Sequence, residues 1–129
     1  MRKGLQGGVQ ELSLRFDDPA LPERLEAARE EELFNAPFGL VRMDNDGTVT
    51  LYSRREADLS GLSPDATLGR NFFEDVAPCT NNFMVAERFK EEGLDTEIAY
   101  VFTYAMEPTE VTLRLIRRPG RLYLLVKQS

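Results

Sequence analysis

The chain has 129 residues but no histidine, and its only cysteine is Cys79. Without histidine, a catalytic Cys–His pair is excluded, and a tetrahedral zinc site would lack the ligands it usually has. Without a second cysteine, no internal disulfide can form. Three roles remain open for Cys79: an inert buried thiol, a redox-sensing thiol, or a thiol that carries a covalently attached group.

Long apolar runs and an excess of positive charge are also missing. No stretch approaches the roughly 20 apolar residues of a membrane span, and no apolar run follows the charged N-terminus, so we expect no signal peptide. The net charge of −6 disfavours sequence-independent binding to nucleic acid, whose phosphates repel an acidic surface. We expect one compact core in a cytoplasmic monomer or weak dimer, with a protein partner or a buried small ligand.

The N-terminal part of the sequence predicts an extended arm followed by a helix. Residues 9–16 alternate apolar and polar side chains, which is typical of a short strand or an extended arm. In residues 22–34, Leu25, Ala28 and Leu33 recur among glutamate and arginine residues. This pattern predicts one amphipathic helix that packs on the rest of the domain.

The next part predicts a hairpin and two short helices. Residues 39–43 and 48–52 are typical of two strands joined by an Asp-Gly turn. The turn is acidic but lacks the glutamate that a calcium-binding loop needs at its twelfth position, so we interpret it as structural. Residues 53–61, which end in glycine, and residues 63–67, which begin with serine, predict helices with recognisable ends.

A proline precedes the cysteine and restricts the local backbone. Pro78 disfavours helical geometry at Ala77, so a short helix or turn over residues 71–76 should end there and leave Cys79 on irregular backbone. Residues 81–92 then predict another helix. The apolar face of that helix comprises Phe83, Ala86 and Phe89.

The C-terminal part predicts three strands. The first begins at Ile98 and places large apolar side chains on one face. These side chains are Ile98, Tyr100, Phe102 and Tyr104. Residues 109–118 and 121–127, joined by a Pro-Gly turn, predict a closing hairpin. Five strands with helices between the second and third predict an α+β domain, an antiparallel sheet with helices on one side and an N-terminal helical cap.

The stretch around the cysteine, Asn-Phe-Phe-Glu-Asp-Val-Ala-Pro-Cys-Thr at residues 71–80, resembles the chromophore-attachment stretch of the photoactive yellow proteins. The resemblance implies a PAS-like chromophore-binding domain over residues 34–129, with residues 1–33 as an N-terminal extension and helical cap. It further implies a blue-light photoreceptor rather than an enzyme. In such a receptor Cys79 holds p-coumaric (4-hydroxycinnamic) acid as a thioester, and an unknown downstream protein receives the signal.

The same resemblance implies which residues surround the dye. Tyr52 and a protonated Glu56 would donate to the phenolate of the dye, and the hydroxyl of Ser60 would support Tyr52. Leu62 departs from the family, which usually has an arginine there lying over the dye. Other residues implied to line the dye pocket are Val41, Phe72, Val76, Ala77, Thr80, Tyr100, Phe102, Tyr104 and Met106.

Light would then isomerise the dye, Glu56 would give up its proton, and the N-terminal cap would open. Two other function classes stay open on the residues alone. A PAS-like sensor that binds another ligand or a partner without a covalent chromophore would not need Cys79. A redox-sensing thiol would need a cationic neighbour, and no lysine or arginine lies close to Cys79 in sequence.

Overall fold

Five strands form one antiparallel sheet in the computed structural model, which describes residues 14–103 and 107–128. The strands are β1 Gly39–Met43, β2 Val49–Tyr52, β3 Asp95–Phe102, β4 Thr109–Arg118 and β5 Arg121–Gln128. Their order across the sheet is β2-β1-β5-β4-β3, so β2 and β3 are the edge strands. The predicted α+β class and five-stranded antiparallel sheet are confirmed.

Short helices connect and cover the strands. The α-helices are α1 Leu21–Ala27, α2 Glu30–Phe34, α3 Arg54–Ser60 and α4 Pro64–Thr67. A π-helical turn spans Phe72–Val76, and 3₁₀ turns span Pro78–Thr80 and Arg88–Lys90. Within the part of the chain that the structure describes, no helix is long and apolar enough to cross a membrane.

Two predicted hairpin turns and two predicted helix starts are confirmed. Gly47 and Gly120 have φ values of 89° and 77°, a backbone region that strains any residue with a Cβ. The side chain of Ser53 accepts a hydrogen bond from the Glu56 amide at the start of α3. The Ser63 side chain likewise accepts from the third residue of its helix, so both serines satisfy amides that would otherwise lack partners.

The single helix predicted over residues 22–34 is wrong, because the structure has two helices there. Ala28 and Arg29 are extended, with ψ angles of 151° and 160°, and they separate α1 from α2. The Arg29 amide donates to Glu32 Oε1 at 2.7 Å, an interaction that starts a new helix rather than continuing the old one. Leu25 and Leu33 are nevertheless both fully buried, as the apolar pattern predicts.

The helix predicted over residues 81–92 is also wrong. Its place is taken by turns and the 3₁₀ turn Arg88–Lys90. The side chain of Asn82 accepts hydrogen bonds from the Met84 and Val85 amides, which fixes a turn at that point. Phe83 therefore points outward and is 84% exposed, whereas Phe89 is buried.

Each face of the sheet carries its own apolar cluster. On one face, α1 and α2 bury their apolar side chains against side chains of β1, β4 and β5. That cluster comprises Leu14, Phe16, Leu21, Leu25, Leu33, Ala36, Phe38, Leu40, Leu51, Ile116, Tyr123 and Leu125. Residues 14–34 thus cover one face of the sheet, while the boundary of a cap at residue 33 stays a prediction. Residues 9–13 of the predicted arm lie outside the described residues.

A buried arginine ties the N-terminal segment to the sheet. Arg114 on β4 is only 5% exposed, and its guanidinium forms a two-pronged ion pair with Asp95 on β3, with both N···O distances at 2.8 Å. Its Nη1 atom also donates to the backbone carbonyls of Phe16 and Asp18, each at 2.8 Å. The planar guanidinium can make all four bonds at once, so Arg114 holds the N-terminal segment on the sheet.

Candidate functional site

Cys79 lies on the 3₁₀ turn Pro78–Thr80, which follows a π-helical turn capped by an asparagine. The Asn71 side chain accepts hydrogen bonds from the Phe73 and Glu74 amides, both at 3.0 Å, and thereby starts the π-helical turn. The turn ends at Ala77, whose φ and ψ angles of −136° and 70° are not helical. This end is the one predicted from the proline that follows. Cys79 is half-buried and packs against the apolar cluster on the other face of the sheet.

Tyr52 ends β2 with its hydroxyl inside the same region. Ser53 fixes the junction between strand and helix, because its hydroxyl accepts from the Leu40 amide at 2.9 Å as well as capping α3. The Tyr52 hydroxyl donates to Ser60 Oγ at 2.8 Å, and both residues are buried. Ser60 Oγ also accepts from the Leu62 amide at 3.2 Å. Ser60 is therefore held in place as the acceptor for Tyr52.

Glu56 lies one helical turn beyond Tyr52 and is fully buried. Neither of its carboxyl oxygens has a hydrogen-bond partner among the residues that the structure describes. Burial without a partner disfavours the charged form, so the pKa of Glu56 is raised well above its usual value. Burial therefore favours the protonated form of the Glu56 carboxyl, whose O–H would have no acceptor among the described residues.

The pKa of Tyr52 is raised as well. Burial is the largest cause, the charge that Glu56 would carry when ionised adds to it, and the hydrogen bond with Ser60 opposes it. Burial thus favours the protonated forms of both Tyr52 and Glu56. A protonated Glu56 carboxyl without an acceptor among the described residues suits a ligand that carries negative charge.

Gly39 makes room for the Glu56 carboxyl. A Cβ atom at residue 39 would overlap Glu56 Oε1 and would also lie 3.1 Å from the Val126 Cβ. Only glycine at this strand position leaves the carboxyl where it is. The sequence gives no sign of this requirement, because Gly39 looks like the ordinary start of a strand.

Most of the other predicted pocket residues share one apolar cluster with Tyr52. One apolar cluster contains or contacts Val41, Tyr52, Leu62, Phe72, Val76, Ala77, Cys79, Tyr100 and Phe102. Thr80 is buried, but its hydroxyl donates to the Ala77 carbonyl at 2.7 Å and so stabilises the turn. Tyr104 and Met106 lie outside the described residues.

Two contacts at the cysteine were not predicted. The Tyr100 hydroxyl donates to the Cys79 carbonyl at 2.5 Å, and Asn82 Nδ2 donates to the same carbonyl at 3.0 Å. The Asn81-Asn82 pair directly after the attachment stretch is a turn signal. It outweighs the apolar spacing of residues 83–89, which favours a helix.

Comparison with known proteins decides the family. No family model matches the chain. The photoactive yellow protein of Halochromatium salexigens is 35% identical over 106 residues, which cover 79% of this chain and 85% of the relative. That of Rhodothalassium salexigens is 32% identical over 108 residues, which cover 81% of this chain and 86% of the relative. The chain belongs to the photoactive yellow protein family.

A solved structure supports the same assignment. The photoactive yellow protein domain of the sensor histidine kinase Ppr from Rhodospirillum centenum superposes with a TM-score of 0.75 at 32% identity. The match covers 82% of this chain and 98% of that domain. The assignment to the photoactive yellow protein family is confirmed, and so is the PAS-like fold.

Proposed function

We propose that this member of the photoactive yellow proteins is a blue-light photoreceptor that carries p-coumaric acid as a thioester on Cys79. One observation carries the proposal: the carboxyl of Glu56 is fully buried without a hydrogen-bond partner among the described residues, and it interacts electrostatically with the buried Tyr52. A protein rarely buries a carboxyl without a partner unless a ligand completes the site. The phenolate of p-coumaric acid would be such a partner. It would accept from the Glu56 O–H, and from the Tyr52 O–H once the Tyr52–Ser60 hydrogen bond reverses so that Ser60 donates to Tyr52.

The residues present fit this chromophore. Cys79 is the one thiol of the chain, and its Sγ atom would form the thioester by displacing the leaving group of an activated acid. Its own backbone amide would hold the thioester carbonyl. Val41, Phe72 and Phe102 are fully buried in the cluster that Cys79 contacts, and they would exclude water. Leu62 packs there too, where it offers bulk without charge.

When bound, the chromophore absorbs blue light and isomerises about its double bond. The response of the protein then depends on Glu56. Loss of the proton from the Glu56 carboxyl would leave a buried carboxylate for which the described residues offer no hydrogen-bond donor. Such a charge costs several kcal/mol, which is a large part of the stability of a domain. This cost would favour opening of the N-terminal cap, and a downstream signalling protein would detect that opening.

The remaining parts of the proposal follow from the same role. The protein signals without turning over a substrate, so it is not an enzyme. We place it in the cytoplasm as a monomer or weak dimer that contacts neither nucleic acid nor membrane.

Reconstitution with activated p-coumaric acid tests the attachment. The intact mass of the wild-type protein should rise by one coumaroyl group, with a yellow colour, and neutral hydroxylamine should reverse both because it cleaves thioesters. A Cys79→Ala variant that remains folded should show neither change.

Two results would contradict the attachment to Cys79. One is a yellow adduct that survives the Cys79→Ala substitution. The other is an adduct that resists hydroxylamine, because an amide on a lysine would behave in that way. A protein that stays colourless but binds the free acid reversibly would instead favour a PAS-like sensor without a covalent chromophore.

A further inference from the structure

Asn82 lies at the centre of a hydrogen-bond network beside the attachment turn. Its Nδ2 atom donates to the Cys79 carbonyl at 3.0 Å and to the Tyr100 hydroxyl oxygen at 2.6 Å. Its Oδ1 atom accepts from the Met84 amide at 2.9 Å and from the Val85 amide at 3.1 Å. One side chain thus uses both donors and both acceptor positions of its amide group.

Tyr100 closes this network from the edge strand β3. Its hydroxyl donates to the Cys79 carbonyl at 2.5 Å while accepting from Asn82. The Cys79 carbonyl therefore receives two donors, which satisfies both of its lone pairs. The three groups form a closed ring of hydrogen bonds, and within it the bond from Asn82 to Tyr100 polarises the Tyr100 hydroxyl and so strengthens its bond to the Cys79 carbonyl.

The network joins segments that are distant in sequence. Cys79 belongs to the 3₁₀ turn Pro78–Thr80, Asn82 to the irregular loop after it, and Tyr100 to β3. The ring of Tyr100 also packs edge-to-face on Phe102, with centroids 5.9 Å apart. The hydroxyl of Tyr100 is committed to the Cys79 backbone, so only the ring of this residue is left to line a pocket.

We propose that Asn82 and Tyr100 are positioning residues that fix the attachment turn on β3 and so set where the Cys79 thiol lies. Their importance for a bound chromophore rests on the proposed function, whereas their hold on the turn is a property of the chain without any ligand. Neither residue takes part in the attachment chemistry. Both act through the Cys79 carbonyl.

The reactivity of the Cys79 thiol tests the proposal in the protein without chromophore. Asn82→Ala removes the amide group, and Tyr100→Phe removes only the hydroxyl and keeps the ring on Phe102. Each change should raise the rate of reaction with a small aromatic disulfide about tenfold, since the turn leaves β3 more often. Asn81→Ala is the matched control, because Asn81 is the exposed neighbour in the same loop. Its rate should stay within twofold of the wild type.

A second substitution separates the two halves of the Asn82 side chain. Asn82→Asp keeps oxygen acceptors for the Met84 and Val85 amides but removes the donors to Cys79 and Tyr100. If donation to Cys79 is what positions the turn, Asn82→Asp should react as fast as Asn82→Ala. If Asn82→Asp reacts like the wild type, Asn82 only caps the following loop and the proposal is wrong.

A double variant and hydrogen exchange provide two further checks. Two independent tenfold effects would raise the reaction rate of the double variant Asn82→Ala, Tyr100→Phe about hundredfold. The increase should be much smaller, because the two side chains share one network. Hydrogen exchange should accelerate in residues 79–85 and stay unchanged in β4 and β5. Faster exchange throughout the sheet would mean that the substitutions merely loosen the whole fold, which would overturn the proposal.

The reconstituted protein gives a spectroscopic readout. Asn82→Ala and Tyr100→Phe should still take up one coumaroyl group but shift the absorption maximum relative to the wild type, while Asn81→Ala should not. Absence of an adduct on the wild type would count against the proposed function and leave the thiol rates valid. Thiol rates and absorption maxima that equal those of Asn81→Ala would refute the positioning role even if the adduct forms.

Discussion

The Glu56→Gln variant is expected to lose most of the pH dependence that Glu56 gives to folding. In the wild-type protein without chromophore, Glu56 should lower the free energy of unfolding as the pH rises from roughly 5.5 to 7.5, because burial raises the pKa of its folded form. The variant keeps the shape of the side chain but has no proton to lose. It should therefore become the more stable of the two as the pH rises.

The sign of this effect follows from the direction of the pKa shift. An unfolded glutamate has a pKa of about 4.3, whereas burial raises the pKa of folded Glu56 well above that. Above about pH 4.3 the unfolded chain releases the proton while the folded chain keeps it, so rising pH favours unfolding by about 1.4 kcal/mol per unit. The stabilisation is complete below the unfolded pKa and is lost as the pH rises through the folded pKa.

Urea unfolding at a series of pH values measures this difference. The quantity to plot is the free energy of unfolding of the wild type minus that of Glu56→Gln, because titrations common to both proteins then cancel. Glu74→Gln is the matched control, since Glu74 is exposed. Parallel curves for the wild type and Glu56→Gln across this range would mean that Glu56 is not buried in the protonated form.

Illumination of the reconstituted protein is expected to raise hydrogen exchange in residues 14–34 more than in β4 and β5. The segment contains only the short helices α1 and α2, which have little cooperativity of their own. It is held to the sheet by its apolar side chains, by the Arg114 bonds to two backbone carbonyls, and by the Tyr123 hydroxyl, which donates to Glu26 at 2.5 Å. Side-chain contacts of this kind give way more easily than the continuous backbone pairing of β4 with β5.

A cavity lies between this segment and Gly39, the strand residue next to Glu56. Residues 14–17 line a cavity of about 490 Å³ together with Phe38, Gly39, Leu59 and Val126. Gly39 is the residue that lies against the Glu56 carboxyl. Release of residues 14–17 would therefore bring water to the Gly39 side of Glu56 and relieve the desolvation of a newly formed carboxylate.

Two variants make the exchange measurement specific. Cys79→Ala, which cannot hold the chromophore on this cysteine, should show the same exchange in darkness and light. Arg114→Met removes the bonds to Phe16 and Asp18 and should raise exchange in residues 14–19 even in the dark. If light changes exchange only in residues 71–80 while residues 14–34 stay protected, the signal does not leave through the N-terminal segment.

The sequence predicted the sheet well because its signals are local. Alternating apolar residues marked the strands, and Gly47 and Gly120 marked turns that need a left-handed backbone. Ser53 and Ser63 marked helix starts that side-chain caps confirm. Each signal lies within a few residues of the feature it specifies, so no knowledge of the tertiary structure is needed.

Helix predictions from apolar spacing were wrong where a polar side chain determined the backbone conformation. Leu25, Ala28 and Leu33 have helical spacing, yet Glu32 bonds the Arg29 amide and starts a second helix. The spacing of Phe83, Ala86 and Phe89 is also helical. The Asn82 side chain, however, accepts from the next two amides and fixes a turn there. In both places a side chain that bonds a nearby backbone amide outweighs the apolar spacing.

Prediction of the candidate site from the sequence was limited by contacts between distant segments. The attachment stretch identified the family, and the spacing of Tyr52 and Glu56 suggested a shared face of a helix. The space that Gly39 leaves for Glu56 and the contact of Tyr100 with the Cys79 carbonyl depend on chain segments 17 and 21 residues apart. Only the folded sheet brings such segments together, so these roles could not be predicted from the sequence.

The most direct test of the central claim is a pH titration of the visible absorption of the reconstituted wild-type protein. In the proposed photoreceptor, Tyr52 and protonated Glu56 donate to a phenolate attached through Cys79. The bound phenol should therefore stay ionised several pH units below the value of about 10 for a free phenol. It should regain its ordinary titration when the protein is unfolded in urea with the thioester intact. A bound phenol that titrates near pH 10 in the folded protein would show that these two side chains do not hold it.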